Sequence, residues 1–121
     1  MEQSNQEQNT TKEKLKVIKQ TTNFLSKKFP GIMKAFYSSF TKIDDDGVLS
    51  KKTKRLISLA GALIKQCDLC IAYYVSKALE AGATPDEILE ASMAALKLNG
   101  GPGLMQVTLV IDALKDLGKL P

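Results

Sequence analysis

Apolar residues recur at helical spacing along most of the chain. No stretch alternates apolar and polar positions with a hairpin partner, as strands would. Leu15, Ile18, Phe24 and Leu25 make a loose stripe from Lys12 to Lys28. Phe29-Pro30-Gly31 interrupts it, and Pro30 suits the first turn of a new helix, where its missing N–H is no loss. A second helix is expected from about Ile32 to Ile43, with Met33, Phe36, Tyr37 and Phe40 on one side. Asp44-Asp45-Asp46-Gly47 ends it. Three adjacent carboxylates do not space ligands as a calcium loop does, so this reads as a polar turn.

The second half is more sharply marked. Ser50 is a candidate N-cap for a helix carrying Leu56, Leu59, Ala60, Leu63 and Ile64, closed by Lys65-Gln66. A further helix is expected from near Asp68 to Ala81, with Gly82 at its C-terminal end. Thr84, Pro85 and Glu87 have the spacing of a capping box, which opens a helix bearing Ile88, Leu89, Met93, Ala94 and Leu96 and ending near Asn99. "NGGPG" breaks the pattern. A last helix is expected from about Leu104 to Leu117, with Val107, Leu109, Val110, Ile111 and Leu114. The pattern predicts an all-α fold: a single helical domain over residues 12–121, built as a bundle of five to six helices, behind a polar N-terminal tail over residues 1–11.

At 121 residues the chain has enough length for one moderate core. No apolar run reaches the roughly 18–20 residues of a membrane span, and "MEQSNQEQNTTKEK" has no apolar signal segment, so a cytoplasmic location is expected and no membrane partner. The net charge of +4 comes from lysines scattered over solvated helix faces. Aromatics make up only 6% of the chain, so nothing resembles a nucleic-acid-binding stripe. Alanine- and glycine-rich stretches such as "SLAGALI" and "EASMAALKLNGG" allow close helix contact and point to a homo-oligomer.

The chemistry concentrates at "CDLC". Cys67 and Cys70 are the only cysteines, in a chain without histidine. At a helix start, free backbone N–H groups and the helix dipole favour a thiolate, and Lys65 adds positive potential. One sulfur then attacks a peroxide or disulfide and the other resolves the product as an internal disulfide. A zinc site needs four ligands, which two cysteines cannot supply from one chain, so no metal is expected. Two inert buried cysteines remain the structural alternative.

The stretch Leu49–Ala91 resembles the core motif of the carboxymuconolactone decarboxylase and alkylhydroperoxidase D-like family. The matching parts are "LS.K…LI.LA" before the cysteines, "C..CI" at the pair, and "A…GAT..EI.EA" after it. The resemblance implies an all-helical fold, trimers or hexamers, no cofactor, and thiol-dependent peroxidase or disulfide reductase activity served by a thiol reductant or redox protein. Peroxidase-type members carry a glutamate twelve residues before the first cysteine and a histidine four residues after the second. Those positions hold Arg55 and Tyr74 here. Either a tyrosine hydrogen bond and an arginine charge replace the family's proton relay, or the relay is lost. The expected function is a thiol–disulfide oxidoreductase using Cys67 and Cys70, with Tyr74 and Arg55 beside them. A non-catalytic oligomeric scaffold and a lactone decarboxylase-like enzyme are the alternatives.

Overall fold

Thr10 opens the first helix: its hydroxyl accepts the Glu13 N–H at 3.3 Å. The computed structural model describes residues 10–121, and these form α1 (Thr11–Lys28), α2 (Pro30–Asp44), α3 (Lys51–Ile64), α4 (Asp68–Glu80) and α5 (Pro85–Asp116). No strand occurs among the described residues. Most of the expected N-terminal tail lies outside them; Thr10 and Thr11 already belong to the start of α1, where the Thr11 N–H donates to the Asp116 carboxylate at 3.0 Å.

The helix boundaries follow the local chemistry. Pro30 sits in the first turn of α2. The Ser50 hydroxyl accepts the Thr53 N–H at 3.1 Å and starts α3. At α5 the capping box is complete: Thr84 Oγ1 accepts from Glu87 N at 3.1 Å, and Glu87 Oε1 accepts from Thr84 N at 2.9 Å. The turn after α2 is organised by hydrogen bonds. Asp46 accepts the Lys51 N–H, and Lys54 Nζ donates to the carbonyls of Ile43 and Asp45.

Where the sequence suggests two helices around "NGGPG", helical structure resumes almost at once. Gly100, at φ 59° and ψ −140°, is the non-helical residue inside α5, and Pro102 stands in the first turn of the second arm. The chain therefore kinks at one glycine. Gly103 completes the corner, because a Cβ there would lie 2.8 Å from Asn99 Cβ.

The core belongs to α3, α4 and the two arms of α5. Leu59, Leu63, Ile71, Val75, Ile88, Val110 and Leu114 have at most 1% of their surface exposed. Fully burying an aliphatic side chain is worth about 1.5–3 kcal/mol, so these seven dominate the drive to fold. α1 and α2 add almost nothing to this core; Phe36, Tyr37 and Phe40 of α2 stay partly open to solvent. α2 instead stands beside α1 and the start of α3, leaving space between its aromatic face and α4.

Candidate functional site

The chain passes from α3 to α4 in three residues. Lys65 caps α3, the Gln66 N–H donates to Leu63 O at 3.1 Å, and the Cys67 N–H donates to Ala62 O at 3.1 Å. This pair of bonds is a Schellman closure, which needs a left-handed residue just past the helix. Equivalent closures after α4 and α5 use Gly82 and Gly118, whereas here the residue is Gln66, at φ 56°. The Asn99 side chain also donates to Leu63 O, at 2.9 Å, tying the corner of α5 to this junction.

Cys67 thus ends one helix and caps the next. Its sulfur accepts the Cys70 N–H at 3.3 Å. Cys67 and Cys70 are joined as a disulfide, with Cα atoms 5.2 Å apart, and both are half-buried. In the reduced pair the same amide and the positive end of α4 favour a thiolate on Cys67. Lys65 lines the shallow cavity at Cys67 and acts in the same sense, while the exposed Asp68 in the first turn opposes it.

Tyr74 lies one turn beyond Cys70 on α4 and lines every cavity around the pair. With Cys67, Cys70 and Ser58 it walls the shallow one. With Cys70, Tyr73, Leu69, Ile18 and the α2 aromatics it walls an apolar cavity of about 210 Å³. With Arg55, Asp44, Lys51 and Lys77 it walls a polar cavity of about 370 Å³. Tyr73 packs edge-on against it at 5.1 Å between ring centroids. Burial pushes the Tyr74 hydroxyl above its ordinary pKa of 10.0, helped by Tyr73 and by the Asp44 carboxylate. At neutral pH Tyr74 is a neutral phenol, able to donate a hydrogen bond.

Arg55 does not line either cavity that contains a cysteine. Its guanidinium bonds to the Lys77 carbonyl at 2.9 Å and to Asp44 at 3.4 Å, with Glu80 at 3.9 Å. It clamps the end of α2 to the last turn of α4. The structure thus groups Cys67, Cys70 and Tyr74, and holds Arg55 one cavity away. Asp44 is the residue that the sequence does not single out. It was visible only as a helix-ending carboxylate, and α2 carries it to the Tyr74 side of Arg55.

Comparison with known proteins fits this arrangement. The sequence pattern of the carboxymuconolactone decarboxylase family matches residues 30–113. An uncharacterised protein of Cupriavidus necator is 33% identical over 106 residues, covering 85% of this chain and 94% of its own length. A Paracoccus denitrificans protein described as uncharacterised protein 4 in the cox locus is 32% identical over 83 residues, covering 69% of this chain and 75% of its own length. The apo crystal structure of a carboxymuconolactone decarboxylase family protein from Legionella pneumophila superimposes with a TM-score of 0.85 at 33% identity, covering 90% of this chain and 97% of that one. A family protein from Thermotoga maritima, described as having a suspected part in antioxidative response, gives 0.76 at 25% identity, covering 87% and 89%. The fold and the cysteine pair at a helix start define a small all-helical protein built around a disulfide. The chain belongs to the carboxymuconolactone decarboxylase family.

Proposed function

We propose that the protein is a thiol-dependent oxidoreductase that reduces peroxides or disulfides with Cys67 and Cys70. The observation that carries this reading is the disulfide itself, formed at the N-terminus of α4 and bordered by cavities on two sides. In the reduced form one thiolate attacks the substrate and the other closes the disulfide, releasing the reduced product. Tyr74 donates its proton or hydrogen bond to the leaving oxygen or sulfur, and stands where peroxidase-type members have histidine. Arg55 acts through Asp44 and the last turn of α4, as a residue that positions the wall behind Tyr74. An external thiol or redox protein returns the electrons, which fits a reducing compartment such as the cytoplasm.

The exposed apolar side chains of α1, α2 and the α5 corner support assembly into a homo-oligomer. Phe24, Ile32, Leu98 and Met105 each leave more than half their surface uncovered in the single chain. Sedimentation gives the subunit count, and a monomer across the micromolar range would refute this part.

The chemical test is turnover of cumene hydroperoxide or a small aromatic disulfide with dithiothreitol as reductant. Wild type is expected to turn over, and Cys67→Ser and Cys70→Ser are expected to lose it. Alkylation rates against pH should place one thiol below the ordinary value of about 8.5. Unperturbed thiols with no turnover would instead establish the non-catalytic scaffold.

A further inference from the structure

The polar cavity and the apolar cavity share Tyr37, Phe40, Tyr73 and Tyr74, so they form two ends of one cleft between α2 and α4. Their chemistry differs sharply. The apolar end is walled by Ile18, Phe36, Leu69 and the aromatic rings, with Cys70 the one sulfur reaching it. The polar end carries three cations, Lys51, Arg55 and Lys77, against the single carboxylate of Asp44. Arg55 is already matched by Asp44 and Glu80, and Lys77 has Glu80 at 3.2 Å. Lys51 takes part in no ion pair among the described residues. The cleft therefore has an oxidisable sulfur at an oily end and an unmatched positive charge at the other.

The span between the ends is set by α4. Cys70 and Lys77 are seven residues apart, which is about 10 Å along a helix. The Lys77 ammonium sits 5.4 Å from the centroid of Tyr73, so the cationic end continues directly from the aromatic wall.

We propose that this cleft selects hydroperoxides of carboxylic acids, with the apolar chain on the aromatic wall, the peroxide at Cys70 and the carboxylate at Lys51 and Lys77. The turnover part of this proposal rests on the thiol chemistry above; the binding part does not. The Cys67 thiolate takes the Cys70 proton as the Cys70 sulfur attacks the terminal peroxide oxygen, the O–O bond breaks, and the departing alkoxide takes a proton from Tyr74, which solvent restores. Cys70 is left as a sulfenic acid. The Cys67 sulfur displaces its hydroxyl, which leaves as water with the proton Cys67 had taken, and the disulfide forms. One hydroperoxide and two thiols give one alcohol, one water and one disulfide, and dithiothreitol re-reduces the pair.

Two measurements test the proposal. The first compares kcat/KM for linoleic acid hydroperoxide, its methyl ester and cumene hydroperoxide on wild type and Lys51→Glu. An acid-to-ester ratio of about ten is expected for wild type at low salt, shrinking as salt is raised, and falling to about one in Lys51→Glu. The second is calorimetric titration of the oxidised protein with decanoate and with decanol, below the concentrations at which either aggregates. Decanoate should bind at least about fivefold tighter, and Lys51→Glu should abolish the difference. Equal use of acid and ester together with equal binding of decanoate and decanol overturns the anion site, even where cumene hydroperoxide turnover upholds the thiol chemistry. No turnover of any peroxide, with decanoate still preferred, refutes the thiol reading and keeps the anion site.

Discussion

Replacing Gln66 with glycine should make the protein more stable. Gln66 holds a left-handed backbone, φ 56°, to close α3 and deliver Cys67 to the start of α4. For a residue with a Cβ that conformation costs about 1–2 kcal/mol. Glycine escapes the cost but has more freedom to lose on folding, worth about 0.5–1 kcal/mol. The Gln66 side chain is exposed and has no hydrogen bond among the described residues, so little packing is lost. The net expectation for Gln66→Gly is a gain of about 0.5–1 kcal/mol. Urea unfolding at fixed protein concentration measures it, with the oxidised protein as the sample so that the disulfide is common to both. Two controls isolate the cause. Gln66→Ala keeps the Cβ and should change little. Gly82→Ala places a Cβ at φ 92°, where no atom lies within 4 Å, and by the same two terms should lose about 0.5–1 kcal/mol through conformation alone. A Gln66→Gly midpoint at or below wild type, with the urea slope unchanged, would refute the strain argument.

Other expectations follow from single contacts. Gly103→Ala forces a Cβ against Asn99, which its bond to Leu63 O holds in place; overpacking of about 1–3 kcal/mol should outweigh the roughly 1 kcal/mol that alanine gains in a helix, lowering the urea midpoint. Arg55→Ala should cost about 1.5–3 kcal/mol by stripping Asp44 and the Lys77 carbonyl of their partner, and Arg55→Lys should recover only part of it because it lacks the fork. Tyr74→Phe should lower kcat/KM for peroxide roughly tenfold with little change in stability; because its pKa lies above 10.0, no limb of the pH–rate profile below that value should vanish with it. Glu87 is held below its ordinary 4.5 by the Thr84 N–H first and Lys52 second, so its share of stability is present above 4.5 and is lost as pH falls through the lower folded value. Comparison of Glu87→Gln with wild type from pH 7 to 3 should show the gap in urea midpoint closing below pH 4.5, and a constant gap would refute the assignment.

How much of this was legible in the sequence depended on how local each feature was. The capping box at Thr84, the Ser50 cap and Pro30 in the first turn of α2 each need only four neighbouring residues, and the structure shows all three. The buried positions of α3 were mostly readable from their period, although Ile64 is 40% exposed. Met93 was read with the apolar stripe of α5 yet is 55% exposed, because period alone does not show how wide a helix's buried face is. The aromatic side of α2 was visible as a stripe, but a stripe does not say whether its partner is a core or a space. Here it faces a cleft, since α2 touches α1 and α3 while α4 stands across the gap.

The site repeats that division. Cys67, Cys70 and Tyr74 share one helix, so their spacing alone brings them together, and the resemblance to the family marks the same residues. Arg55 and Asp44 meet across two helices, and no spacing from the cysteines encodes that. The pairing changes what the departures from the family pattern mean. An arginine in place of a glutamate adds positive charge beside the tyrosine wall, and Asp44, from a different helix, neutralises it at 3.4 Å. That same carboxylate helps keep the Tyr74 proton in place. A tyrosine that holds its proton serves as a donor to a leaving group and not as a base toward a thiol. In the proposed reaction, activation of the thiol then falls to the α4 N-terminus and the Cys70 amide, which are already aimed at Cys67. In the thiol chemistry proposed above, the two tasks that a glutamate–histidine relay combines are thus divided, with the helix start making the thiolate and the tyrosine protonating what leaves.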